Sequence, residues 1–153
     1  MRRSPVVVVG VAALAAVVLA GCSSAPSTVS ITYEHDGAER TVTAHPDEVE
    51  CTETEASSLG TQGTQYSVRL SFGDDSLGSY GSAWVYDERI VYFTADTLDI
   101  EHDDGHVRVE AAPGVVKVVE HAATDGEPIG GDFDVDGAAE VEGSLTVDLV
   151  CTS

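Results

Sequence analysis

A chain of 153 residues with 27 acidic and only seven basic side chains carries a formal charge of −20. Such a surface repels nucleic-acid backbones and anionic lipid headgroups, which excludes binding through phosphate contacts. Five tyrosines, three phenylalanines and one tryptophan supply enough large side chains for a packed core, which excludes a wholly disordered chain.

At the N-terminus, Arg2 and Arg3 precede an apolar and glycine run from Val6 to Gly21. The run is shorter than the ~20 residues a spanning helix needs and ends in small residues, so residues 1–21 read as a secretory signal. It closes on Leu19-Ala20-Gly21-Cys22. A branched residue, two small residues and a cysteine form a lipobox, after which Cys22 is expected to be diacylated and to become the mature N-terminus. The alternative is a plain signal with a chance cysteine. Each buried acyl methylene contributes about 0.8 kcal/mol, and two chains hold where one is marginal. The expectation is a membrane association through lipid, at the extracytoplasmic face, with no apolar run of spanning length after Cys22.

From Cys22 to Ser153 there are 132 residues, the size of one domain. Without Arg2 and Arg3, five basic residues face 27 acidic ones, a net charge of −22. That balance suits solubility in a salty exterior and would hold the domain off the bilayer while a tether keeps it near. With Cys22 assigned to lipid, Cys51 and Cys151 remain as an even pair in an oxidising compartment, and a disulfide between them is expected. The alternative, two thiols of a metal or redox site, lacks C-x-x-C spacing.

Residues 22–28 form the acylated terminus and a short polar tether, and residues 29–153 a single domain. Val29 to Tyr33 and Arg40 to Ala44 alternate apolar and polar residues around Asp36-Gly37, a β-hairpin signal. Val49 to Thr54 is a third strand carrying Cys51. Glu55 to Gly63 looks least ordered, with at most a short helix over residues 53–59. Gln65 to Phe72 places Tyr66, Val68, Leu70 and Phe72 on one face. Ala83 to Tyr86 and Ile90 to Thr94 flank the polar triplet Asp87-Glu88-Arg89. A second hairpin joins Leu98–His102 to Val107–Ala111 through Asp103-Asp104-Gly105-His106. Val115 to Glu120 is another strand, because Pro113-Gly114 blocks a helix across it. Ala122 to Gly131 reads as a loop, Phe133-Asp134-Val135 as strand. Val141 to Cys151 closes the chain with Leu145, Val147, Leu149 and Cys151 in phase. Seven to nine short strands with turns between them imply an all-β domain, an antiparallel sandwich or small barrel.

The lipobox, the stretch VSITYEHDGAERTVTAHPDEVEC leading into Cys51, and the terminal GSLTVDLVCTS resemble the mycobacterial nineteen-kilodalton lipoprotein antigen family. The resemblance covers the two ends of the chain. It implies a secreted, acylated, disulfide-bridged envelope protein without enzymatic activity, recognised by host receptors through its lipid. Members usually carry a longer Ser/Thr/Gly-rich linker, whereas here six residues (23–28) separate Cys22 from the first strand.

Two clusters carry possible chemistry. Asp132-Phe133-Asp134-Val135-Asp136-Gly137 matches the first half of a calcium loop, with Glu140 and Glu142 as further oxygen donors. The twelfth position is Gly143, where a bidentate Glu belongs, and the same alternation describes a strand with an acidic solvent face. His102 and His106, with Asp103 and Asp104 between them, contain ligand types for zinc or copper, yet at a turn tip such residues are ordinarily just exposed. His35, His45 and His121 read as surface residues. There is no G-x-S-x-G, H-E-x-x-H or S-x-x-K signature, and Lys117, the only lysine, lies among valines.

These features point to a non-enzymatic, lipid-anchored envelope protein with no cofactor beyond the lipid on Cys22 and with host or envelope proteins as conceivable partners. The competing reading is an extracytoplasmic binding module for a cation such as calcium, or for a small apolar ligand between the sheets.

Overall fold

The computed structural model describes residues 26–73, 78–103, 105–120, 135 and 137–152. Ten strands run through them: β1 (Thr28–His35), β2 (Ala38–Ala44), β3 (Glu50–Cys51), β4 (Glu55–Gly60), β5 (Gln65–Ser71), β6 (Tyr80–Asp87), β7 (Arg89–Ala95), β8 (Glu101–Asp103), β9 (His106–Val119) and β10 (Ala139–Val150). No helix occurs among the described residues. The protein is all-β, as its alternation predicts.

All ten strands belong to one antiparallel sheet in the order β2-β1-β10-β9-β7-β6-β5-β4-β3, with β8 added to β9. The sheet curls over as a half-barrel, so that β1 and β2 lie against β6 across the core. Its inner face carries the residues that alternation selects: Val29, Ile31 and Tyr33 from β1, Val68 and Leu70 from β5, Val91 and Phe93 from β7, and Leu145, Val147 and Leu149 from β10, all buried. Glycine makes room where β9 and β10 pass over the core. Gly114 and Gly143 stand directly opposite each other, and a Cβ at Gly114 would lie 2.5 Å from the Phe93 ring.

The two-residue turn between β1 and β2 has φ of 54° at Asp36 and 75° at Gly37, the left-handed pair that an Asp-Gly hairpin turn requires. The expected strand Val49 to Thr54 is shorter: pairing is confined to Glu50 and Cys51. Thr52 ends it, its Oγ1 accepting hydrogen bonds from the Thr54 and Glu55 amides at 3.3 and 3.0 Å.

The weak helix expected over residues 53–59 is absent, and β4 occupies that stretch. Its sequence, Glu-Ala-Ser-Ser-Leu-Gly, has no strand-forming preference of its own. Pairing with β5 over Glu55↔Ser71 to Gly60↔Tyr66 imposes the extended form. Ala56 and Ser58 then point inward, and the buried Ser58 hydroxyl donates to the Glu48 carbonyl and lies 3.3 Å from the Tyr66 hydroxyl.

The two strands expected on either side of Pro113-Gly114 are one, the fourteen-residue β9. A bulge lets it turn without breaking. Leu145 pairs with Ala112 but Val147 with Val109, so Glu110 and Ala111 both oppose Thr146. Ala111 takes φ of 43°, and its amide donates to Thr146 Oγ1 at 3.3 Å.

Antiparallel pairing collects the start of β1, the Thr52–Thr54 turn, Gly105 and Cys151 at one end of the half-barrel. That end is tied shut. Cys51 and Cys151 are disulfide-bonded across a sequence separation of 100 residues, as expected from the cysteine count. Beside the bridge, Thr152 N donates to the Val49 carbonyl at 2.9 Å, Cys151 N to Gly105 at 2.8 Å and Val150 N to Ser27 Oγ at 2.9 Å.

Candidate functional site

A groove of about 980 Å³ crosses the outer face of β2, β1, β10 and β9. Thr32 and Ser144 stand opposite each other in it, with Pro113 and the half-exposed Val115 at its β9 side. Three carboxylates line it: Glu34, Glu39 and Glu142. Glu34 and Glu39 are directly opposite across β1 and β2. Glu142 precedes Gly143, the partner of Tyr33, and therefore stands beside Glu34 from the β10 side. Among the described residues none of the three is in an ion pair. Like charges set directly opposite oppose pairing, so this row costs the sheet stability.

By contrast, four of the five basic side chains of the domain are engaged. Arg69 pairs with Glu55 at 2.8 Å, Arg89 with Glu120 at 2.8 Å, Arg108 with Asp148 at 3.5 Å, and Lys117 with Glu140 at 3.1 Å. Of the acidic residues singled out as a cation site, Glu140 and Glu142 are described, and Glu140 stands directly across the sheet from Lys117. Asp132, Asp134 and Asp136 lie outside the described residues, as do Cys22 and His121. Among the described residues there is no group of three or more His, Cys, Asp or Glu side chains arranged to hold a metal.

The two hairpin histidines are not brought together. Asp103 pairs with His106 and His102 with Val107, so the imidazoles leave the hairpin on opposite faces. His102 stacks on Phe72, with centroids 4.4 Å apart and planes at 24°. His106 Nδ1 lies 3.5 Å from Asp148 Oδ1, an electrostatic contact without hydrogen-bond geometry, and this buried nitrogen has no hydrogen-bond partner.

At the end away from the disulfide, Tyr33 is buried on the inner face with His35 beyond it, ring centroids 6.4 Å apart. Burial raises the Tyr33 phenol above its ordinary value, against the lowering influence of Arg40 and Arg89.

Sequence reasoning placed the carboxylates of interest in residues 132–142, and it missed the row Glu34–Glu39–Glu142. Only the Glu34/Glu39 pair was open to it, through the hairpin register; Glu142 joins them because β10 inserts beside β1. Compared with known proteins, the chain matches no family model, no curated protein and no solved structure.

Proposed function

We propose that this is a lipid-anchored, non-enzymatic envelope protein, displayed at the outer face of the cytoplasmic membrane, of the antigen-like kind its two ends resemble. The observation that carries this reading is Leu19-Ala20-Gly21-Cys22 behind a positively charged, apolar leader. The Cys51–Cys151 bridge supports it, because such bridges persist in oxidising compartments. So does the chain's path. Strand β1 begins at Thr28, six residues after Cys22 and at the disulfide-tied end of the half-barrel. Six residues reach about 20 Å, so the tied end faces the bilayer and the opposite end, with the Asp36-Gly37 turn, faces outward.

Phase partitioning tests the reading. Wild-type protein should enter the detergent-rich phase, and Cys22→Ala should move it to the aqueous phase. A variant that still partitions with detergent would mean another membrane attachment.

A further inference from the structure

We propose that the free edge of β2 is a strand-addition site for an extended, basic segment of a partner protein. The inference is independent of the lipid anchor, since it rests on the sheet edge alone. β2 and β3 end the main path of the sheet, and the three-residue β8 adds a further short edge beside β9. The β3 edge is short and protected: β3 has two residues, and beyond it Ser58 of β4 donates to the carbonyl of Glu48. β2 is seven residues long, with Ala38 to Thr41 and Thr43 exposed, and no described strand pairs with its outer side.

The register says which backbone groups are available. His35 and Ala38 flank the two-residue turn and form a hydrogen-bonded pair. Alternation makes Glu39, Thr41 and Thr43 the non-hydrogen-bonded positions, whose N–H and C=O groups point away from β1. The side chains agree, since such pairs approach more closely. Thr41 Oγ1 lies 2.9 Å from Thr32 Oγ1, and Thr43 Oγ1 lies 2.9 Å from Ser30 Oγ. Three donors and three acceptors therefore line an exposed edge, the template used in β-augmentation.

Charge selects the occupant. A strand added here sets one outward side chain about 5 Å from that of Glu39, with Glu34 and Glu142 next in the row. A lysine or arginine at that position relieves the unpaired row, while Thr41 and Thr43 favour Ser or Thr beside them and the inward Val42 favours an apolar neighbour. A second copy of this chain fits poorly, because each domain carries the same acidic excess. Charged residues on an edge can also serve only to discourage pairing, and the test separates the two.

The probe is a synthetic nine-residue peptide alternating valine with lysine and threonine, added to the full-length protein in detergent and followed by residue-resolved hydrogen exchange. Binding should slow the Glu39, Thr41 and Thr43 amides at least tenfold and leave Arg40 and Val42, already bonded to β1, unchanged. Glu39→Gln should weaken binding about two- to fivefold, the range of an exposed ion pair. Thr41→Pro removes one outward donor at an edge position that tolerates proline and should abolish binding. If that variant fails to fold, a peptide N-methylated at alternate residues serves instead and should not bind. Several results overturn the proposal. They are no slowing, equal slowing by a glutamate-containing peptide, or slowing that survives Thr41→Pro or N-methylation. Slow Glu39, Thr41 and Thr43 amides in a peptide-free dimer would likewise overturn it, assigning the edge to a second copy.

Discussion

Val49 and Thr152, 103 residues apart, bind each other through both backbone and side chain. Thr152 N donates to the Val49 carbonyl at 2.9 Å, Thr152 Oγ1 donates to the same carbonyl at 3.0 Å, and Val49 N donates to Thr152 Oγ1 at 3.0 Å. These bonds and the adjacent Cys51–Cys151 bridge join the β3 edge to the end of β10, strands that share no ladder.

Two losses at this clasp should differ in size. Replacing both Cys51 and Cys151 by Ala should destabilise the domain by about 2–4 kcal/mol, with ~4.7 kcal/mol as the ceiling for a loop of this length. Thr152→Val removes only side-chain hydrogen bonds and should cost about 1–2 kcal/mol. Guanidinium unfolding at fixed pH measures both. Equal and negligible effects would mean that the sheet holds its curl without the clasp.

Much of the sheet was legible in the sequence, and so was the disulfide that clasps its end. The Asp36-Gly37 and Asp103–Gly105 hairpins, the Tyr66–Val68–Leu70 face and the Leu145–Val147–Leu149 face follow from turn chemistry and a period of two, both local properties. Strand β4 was missed because Ala56, Ser57 and Ser58 are extended only by pairing with β5 and by the inward hydrogen bonds of Ser58. The continuity of β9 depends on a positive φ at Ala111, which no alanine announces. Strand order was equally hidden. β10 inserts between β1 and β9, and that insertion creates the groove and its row of glutamates.

Gly143→Ala should be costly although the change is a single methyl. Its Cβ would lie 2.5 Å from Val116 Cγ2 and 2.6 Å from the Thr32 carbonyl oxygen, and the backbone cannot give way as a side-chain tip can. Overpacking of this kind costs about 1–3 kcal/mol. Gly137→Ala, where nothing stands within 4 Å, is the control and should change thermal stability far less.

Stability should fall with alkaline pH in part through Tyr33. Its phenol is raised above the ordinary value of 10.0 by burial, so on raising pH the unfolded chain loses this proton first. The unfolded state then binds fewer protons than the folded one, and stability declines as pH rises through 10. Unfolding midpoints between pH 9 and pH 11 should decline less steeply in Tyr33→Phe than in wild type. Parallel declines would show that the phenol contributes nothing.

Cations should act through screening. With 27 acidic residues in the chain, added salt should raise the melting temperature, and calcium and magnesium should be equivalent at matched ionic strength. A specific site at Asp132, Asp134, Asp136 and Glu140 would instead stabilise in proportion to its occupancy by calcium alone. A calcium-selective shift abolished by Asp134→Asn would turn the reading toward a binding module.

The most direct test is the mass of the N-terminal peptide of protein isolated from membranes. The account predicts that the peptide begins at Cys22 and carries a thioether-linked diacylglycerol. A free Cys22 thiol, a mature terminus at any other residue, or an uncleaved leader would contradict it.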